Sequence, residues 1–401
     1  MRILWVKAGG LVPLDTGGKT RSFQILKQLA LRHDVTLYTF YRREPDDQHA
    51  ELRSLFSRVV TTPLPLPAPR SVAEYLQYAR LLLTGHPATI EKYFLYPEVR
   101  RDFTALIASQ SFDVVVCDFV YPARVIDWDL SCPKILFTHN VEAQVWSRQA
   151  LVTSNPLRKL ACRLESRALM RAEQHYAQIA DFVVTVSAND QAFFTRYVPP
   201  TRTAVIPTGV DVEYFRANGA QEEPHSLVFT GSMDWLPNDD AVRYFVGHVL
   251  PLVRREVPDA RFWAVGRRPL AALRALASEA VTVTGTVDDI RPFLDRGAVC
   301  VVPLRSGSGT RIKIFEAMAM GKSVVSTTLG AEGLPVTHGQ DILLADSPEE
   351  FARAIVALLR DPARRRRLGG AARALVERNH SWAAVGTQFE DILTSVRRSI
   401  A

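Results

Sequence analysis

The stretch SGSGTRIKIFEAMAMGKSVVS, from Ser306 to Ser326, sets a glycine–serine turn ahead of a helical segment that carries two cations and a carboxylate. Gly307 and Gly309 let the backbone approach a ligand closely, and Ser308 or Thr310 is suited to cap a helix beginning near Arg311. Free N–H groups at a helix start, together with the positive end of its dipole, attract anions. Arg311 and Lys313 add two full positive charges beside that turn. Glu316, about one and a half turns further on, is spaced to accept hydrogen bonds from a pair of sugar hydroxyls. The competing reading is a surface turn with a Lys313–Glu316 pair at i,i+3.

Other candidates follow apolar runs that read as strands. The loop KAGGLVPLDTGGKTRS (7–22) offers Gly17 and Gly18 at the start of a helix, as backbone donors to a phosphate or sugar or as a plain turn. It matches neither the dinucleotide fingerprint nor the P-loop spacing. FTHNVE (137–142) leaves His139 at a strand end, where a catalytic role and a structural one both stand. FTGSMDWLPN (229–238) brings Gly231 and Ser232 to another strand end. The pair Asp127 and Asp129 in DWD precedes a strand and is not expected to bind metal; RRRR (364–367) reads as a solvated face. There is no H-E-x-x-H, no cysteine cluster and no G-x-S-x-G.

The elements that must position these residues are short apolar strands alternating with longer amphipathic segments, the pattern of parallel α/β sheets. Strands are expected at 2–7, 34–40, 112–118, 134–140, 181–187 and 202–207, then at 225–231, 261–266, 280–285, 298–304 and 322–328. A helix is expected over 18–32 and a basic one over 156–176. The polar stretch 212–226 reads as a linker, so an N-terminal domain is expected over 1–217, a second over 218–380, and a last helix over 381–401 that crosses back to the first. In such sheets ligands bind at the carboxyl ends of the strands.

With 401 residues, 47% hydrophobic and 23% charged, the chain is an ordinary two-domain globular protein, and its net charge of +7 favours anionic partners. Cys117, Cys132, Cys162 and Cys300 form no C-x-x-C pair and read as reduced thiols. No apolar run approaches the ~18 residues that span a bilayer, and the run after Met1 is too short for a signal peptide. A cytoplasmic location, extending to the inner face of the membrane, is expected.

Taken in order, GTRIKIFEAMAMGKSVVST, VIPTGVD, DFVVTVS, FTHNVE and DPARRRRLGGAARALVERNHSW resemble the family 4 nucleotide-sugar glycosyltransferases, and TGGKTRS and GSMDWLPN look most like those of exopolysaccharide assembly. That resemblance implies the GT-B architecture: two facing Rossmann-like α/β domains with an interdomain cleft. It implies a retaining, hexosyl-type transfer from a nucleoside diphosphate sugar to a polysaccharide or glycolipid acceptor, without metal or other cofactor and without nucleic acid as partner. By the same resemblance, Ser308, Gly309, Thr310, Arg311, Lys313, Glu316, Gly231, Ser232, Gly17 and Gly18 hold the donor, and His139, Arg311 and Lys313 are catalytic.

Two departures stand out. The family's second glutamate, eight residues before Glu316, is Ser308 here, and the family's Arg and Lys after the first strand of the second domain are missing from GSMDWLPNDDA. A sugar-nucleotide epimerase and an inactive nucleotide-sugar-binding assembly protein therefore remain alternatives. The basic segment 156–176 rests either on anionic lipid or in solvent.

Overall fold

Parallel strands buried on both faces must be apolar almost throughout, and β1 (Arg2–Ala8) obeys this, with its five central residues inaccessible. The computed structural model describes residues 1–14, 16–43, 49–69, 71–153, 155–219, 221–306 and 312–400. Ser308, Gly309, Thr310 and Arg311 lie outside them. The chain divides into two compact units, one formed by Met1–Pro207 with Val385–Ala401, the other by Thr208–Ala384. The first crossing thus comes at 207/208, ahead of the polar stretch expected to carry it, because Val210 already pairs with Ser381 and donates to the His380 carbonyl within the second unit.

The first unit holds a seven-stranded parallel sheet: β1, β2 (Asp34–Arg42), β3 (Arg58–Leu64), β4 (Val114–Asp118), β5 (Lys134–Phe137), β6 (Phe182–Thr185) and β7 (Thr203–Val205). Their spatial order is β3-β2-β1-β4-β5-β6-β7. Helices α1 (Gly17–Ala30), α2 (Val72–Leu82), α3 (Ala88–Phe94), α4 (Pro97–Ser109), α5 (Glu142–Val152), α6 (Pro156–Ile179) and α7 (Ala188–Phe194) connect them. The strand β3 is absent from the expected set because Pro63 and a threonine pair mask its pattern; a proline is tolerated there because β3 is an edge strand.

The second unit repeats the design with β8 (Glu223–Thr230), β9 (Arg261–Val265), β10 (Val281–Gly285), β11 (Gly297–Val302), β12 (Ser323–Ser326) and β13 (Leu343–Leu344), ordered β10-β9-β8-β11-β12-β13. Its helices are α8 (Leu236–Tyr244), α9 (Leu250–Glu256), α10 (Ala271–Arg274), α11 (Arg291–Arg296), α12 (Ile312–Ala319), α13 (Pro348–Arg360) and α14 (Pro362–Asn379). Phe229, Phe245, Phe262, Phe315 and Phe351 fill its core. Within RRRR the structure corrects the solvated reading: Arg365 turns inward from α14, donates to the Leu358 and Leu359 carbonyls at 2.7 and 3.0 Å, and pairs with Glu222 at 2.5 Å.

The last helix, α15 (Trp382–Ile400), starts in the second unit and finishes in the first. Phe389 packs between Trp5 and Phe137, with ring centroids 5.5 and 5.1 Å away, and Val385, Leu393 and Val396 are buried with it. Each such side chain contributes about 1.5–3 kcal/mol by leaving water, so this helix is part of the first unit's core. In both sheets the order reverses direction at one place, between β1 and β4 and between β8 and β11. Those are the points where strand ends stay open to a ligand.

Candidate functional site

At the β8/β11 reversal, β8 ends in the turn Gly231–Ser232, and the side chains that meet there come from three elements. Lys313, on the first turn of α12, places Nζ 2.7 Å from Asn238 Oδ1 of α8 and 4.0 Å from the centre of the Phe229 ring. A methyl group on Gly231 would lie 2.8 Å from that Nζ and 2.6 Å from Asn238 Nδ2, so the lysine crosses this turn because glycine leaves it room. From the β9 side, Gly231 N donates to the Val265 carbonyl at 3.0 Å and Met233 N to the Arg267 carbonyl at 2.9 Å. Gly266 closes this lacing: at φ +152° its missing side chain would overlap the Gly231 carbonyl. Arg267 Nε donates to Ser232 Oγ at 2.9 Å, Ser232 Oγ donates to Asp234 Oδ1 at 2.5 Å, and Arg268 lies 3.6 Å from the same carboxylate.

Glu316 is half-buried on α12. Burial pushes its carboxyl up to about 7, against the pull of Lys313. Among the ion pairs between described residues none joins Lys313 to Glu316, so their i,i+3 spacing does not produce a surface pair. Arg305, just beyond β11, is held by Asp240 through two contacts of 3.1 and 2.6 Å and lies over Tyr244.

At the β1/β4 reversal the charges are buried. Asp118 ends β4 and accepts from Lys7 Nζ at 3.0 Å, from Trp5 Nε1 at 2.8 Å and from His139 Nε2 at 2.8 Å. Burial opposes ionisation of Asp118, but Lys7, His139 and Ser22 outweigh it and hold the carboxyl well below its ordinary value. His139 is buried, and desolvation lowers its pKa to about 3, so its contact with Asp118 is a hydrogen bond from a neutral ring, not an ion pair. The other ring nitrogen, Nδ1, lies 3.4 Å from Arg21 Nη1, which also donates to the Thr138 carbonyl at 3.0 Å; Arg21 Nη2 holds the Ile206 carbonyl. The imidazole stacks on Phe119 at 4.1 Å, and Gly18 lets α1 begin against that ring, since a methyl there would meet it at 3.1 Å. Gly17 opens α1 after Thr16, whose hydroxyl accepts from Lys19 N at 3.4 Å. Asp127 and Asp129 sit in an exposed turn, the first accepting from the backbone N–H of the second.

Two family models cover most of the chain: Glycosyltransferase Family 4 over residues 16–214 and Glycosyl transferases group 1 over residues 224–361. The chain belongs to these glycosyltransferases. Over 369 residues it is 19% identical to an uncharacterised 44.6 kDa protein of the cps region of Klebsiella pneumoniae, covering 88% of this chain and 90% of that one. It is 29% identical over 209 residues to the phosphatidyl-myo-inositol mannosyltransferase of Mycobacterium tuberculosis, covering 48% of this chain and 54% of that one, about half its length. Sucrose-phosphate synthase from Thermosynechococcus elongatus shares the fold with a TM-score of 0.68 at 19% identity, over 99% of both chains. Anabaena HepE in complex with UDP shares it with a TM-score of 0.64 at 15% identity, over 98% of this chain and 100% of that one.

In this glycosyltransferase, then, the structure brings Gly231, Ser232, Lys313 and Glu316 to one strand reversal and Gly17, Gly18 and His139 to the other. Sequence reading passed over Lys7, Arg21, Asp118, Asn238 and Arg267. A signal existed for three of them: Lys7 and Asp118 are charged residues closing otherwise apolar strands, and Arg267 directly follows a strand and a glycine. Asn238 and Arg21 carried none, since both sit in polar helical starts.

Asp118→Asn should destabilise the first unit by ~3–5 kcal/mol, because it leaves the Lys7 ammonium buried without its counter-charge. Urea denaturation followed by tryptophan fluorescence measures this through Trp5; a loss below about 1 kcal/mol would mean that Lys7 finds another partner.

Proposed function

We propose that this glycosyltransferase moves a hexosyl group from a nucleoside diphosphate sugar to a polysaccharide or glycolipid acceptor, with retention of configuration and without a divalent metal. The observation that carries this reading is the fixed position of Lys313, held by Asn238 and Phe229 across the Gly231 turn at the β8/β11 reversal. As the glycosidic bond breaks, the leaving diphosphate gains charge. A cation already in place meets that charge without reorganising, which is where electrostatic catalysis is strongest. Ser308, Gly309, Thr310 and Arg311 complete the donor site in this reading, and Glu316 takes the ribose hydroxyls. The alliance of HepE with UDP and the location of the Klebsiella relative in a cps region support the donor and acceptor classes.

Retention is supported by the state of the carboxylate at the β1/β4 reversal. Asp118 is fully buried and engaged by Lys7, Trp5 and His139, so it is not free to act as a nucleophile or base. Attack from the face of the departing phosphate, which itself takes the acceptor's proton, needs no protein carboxylate. His139, neutral and engaged at both nitrogens, then positions Phe119 and the start of α1 on the sugar side.

The acceptor is presented at an anionic membrane surface. Helix α2 turns Val72, Tyr75 and Leu76 outward, and Leu83 follows at its C-terminal cap; Val72 and Leu83 are 74% and 87% exposed. Beside it α6 exposes Leu157, Leu160 and Leu164 among Arg158, Arg163, Arg167 and Arg171, while Lys159 is half-buried. Arg171 of α6 donates to the Gly85 carbonyl, in the turn that follows α2, at 2.7 Å. Among the described residues no helix is long and apolar enough to cross a membrane, so the contact is interfacial.

Lys313→Ala should lower kcat by about a hundredfold with the fold intact, whereas a chelator should leave the wild-type rate unchanged; a rate restored only by manganese would overturn the metal-free reading. Nucleoside diphosphate affinity should rise with pH through about 7 as the Glu316 carboxyl ionises, beyond any rise seen in Glu316→Gln. Identical calorimetric profiles would remove Glu316 from the ribose. In co-sedimentation, vesicles containing phosphatidylglycerol should retain the wild type and release the Leu76→Asp/Leu160→Asp double variant; retention equal to that on pure phosphatidylcholine would discard the membrane contact.

A further inference from the structure

The Gly231–Ser232 turn is approached by a cation from each side. Lys313 reaches Gly231 from α12, and Arg267 reaches Ser232 from the end of β9. The two come from opposite flanks of the strand reversal, because β9 lies on one side of β8 and the β11–α12 connection on the other. Building on the donor site proposed above, we infer that Arg267 is a further diphosphate-binding cation of this protein beside Lys313, delivered by the β9 loop and not by the β8–α8 segment SMDWLPN, which carries no cation.

Three features make Arg267 more than a surface arginine. Its backbone is fixed: the carbonyl accepts from Met233 N, and Gly266 immediately before it is pressed onto the Gly231 carbonyl in a conformation that side chains do not adopt. Its side chain is held at the turn by the Nε–Ser232 Oγ bond, which leaves the two terminal nitrogens of the fork for a planar pair of oxygens. Finally, the carboxylate in this group is already shared. Asp234 accepts from Ser232 Oγ and pairs with Arg268, so this acid is already engaged beside Arg267. Asp234 sits where an incoming phosphate oxygen is attracted, and its own pKa is lowered by the hydrogen bond from Ser232 and by the arginines nearby. It is a competitor for the anion, fixed on the protein.

A guanidinium held by one edge and a lysine held across the neighbouring residue suit a ligand with two linked phosphates better than one with a single phosphate. The site is therefore expected to discriminate nucleoside diphosphates from monophosphates through Arg267, and to owe little to Arg267 in recognising the base.

Calorimetric titration of the full chain with UDP, GDP and ADP identifies the preferred base, after which the diphosphate, monophosphate and free nucleoside are compared. Arg267→Ala should weaken the diphosphate about tenfold, as for a lost charged hydrogen bond, and leave the nucleoside unchanged. Arg267→Lys should recover only part of the loss, since it keeps the charge without the fork. Asp234→Asn should tighten diphosphate binding by removing the competing carboxylate. Arg267 is exposed, so its variants should melt as the wild type does. The inference is overturned if Arg267→Ala binds the diphosphate as the wild type does while Lys313→Ala does not, or if its loss is equal for diphosphate and nucleoside. If the wild type binds no nucleoside diphosphate, the donor reading itself fails and takes this one with it.

Discussion

A strand that returns parallel to its neighbour needs a crossover over one face of the sheet, and crossovers in proteins turn one way. Where two successive crossovers leave in opposite directions, the strand ends between them are not covered by a connection. This constraint operates twice here, at β1/β4 and at β8/β11. Gly231, Ser232 and Lys313, and Gly17, Gly18 and His139, lie on strand ends or helix starts beside the two reversals. The rest of each unit, from the phenylalanine core around β8 to the helices on either face, serves to hold those ends still.

The two reversals are electrostatically unlike. At β1/β4 the protein neutralises itself: Asp118 has Lys7 for counter-charge, His139 stays uncharged, and Arg21 is consumed by backbone carbonyls. Such a network is rigid and offers little to a mobile ion. At β8/β11 the balance is left open, with partly exposed cations beside Asp234 and a glutamate whose proton is loosely held near neutrality. Burial in a low-dielectric setting strengthens the first arrangement, whereas the arginines of the second face solvent.

Most strands were legible because parallel strands buried on both faces have to be continuous apolar runs, as VVVCD and GAVCVV are. The two that escaped, β3 and the two-residue β13, lie at sheet edges, where one neighbour is missing and the pattern relaxes. Lys313, Glu316 and Gly231 were legible because their types and order carry chemical meaning locally. Arg267 and Asp118 were harder, since what gives them a role is a partner many residues away: Ser232 for the first, Lys7 and His139 for the second. Burial explains the Arg365 outcome in the same way, for nothing within RRRR distinguishes the arginine that finds Glu222.

The path of α15 has a consequence for how the protein comes into being. The side chains that seal Trp5 and Phe137, led by Phe389, are made only after the whole of the second unit has been synthesised. Domains usually fold as they emerge, amino-terminal part first. Here the amino-terminal sheet must wait with one apolar face uncovered while the later unit is synthesised and folds. During that interval the nascent chain presents a hydrophobic surface. A ribosome stalled anywhere in the second unit would leave behind not a finished first domain but an unsealed one.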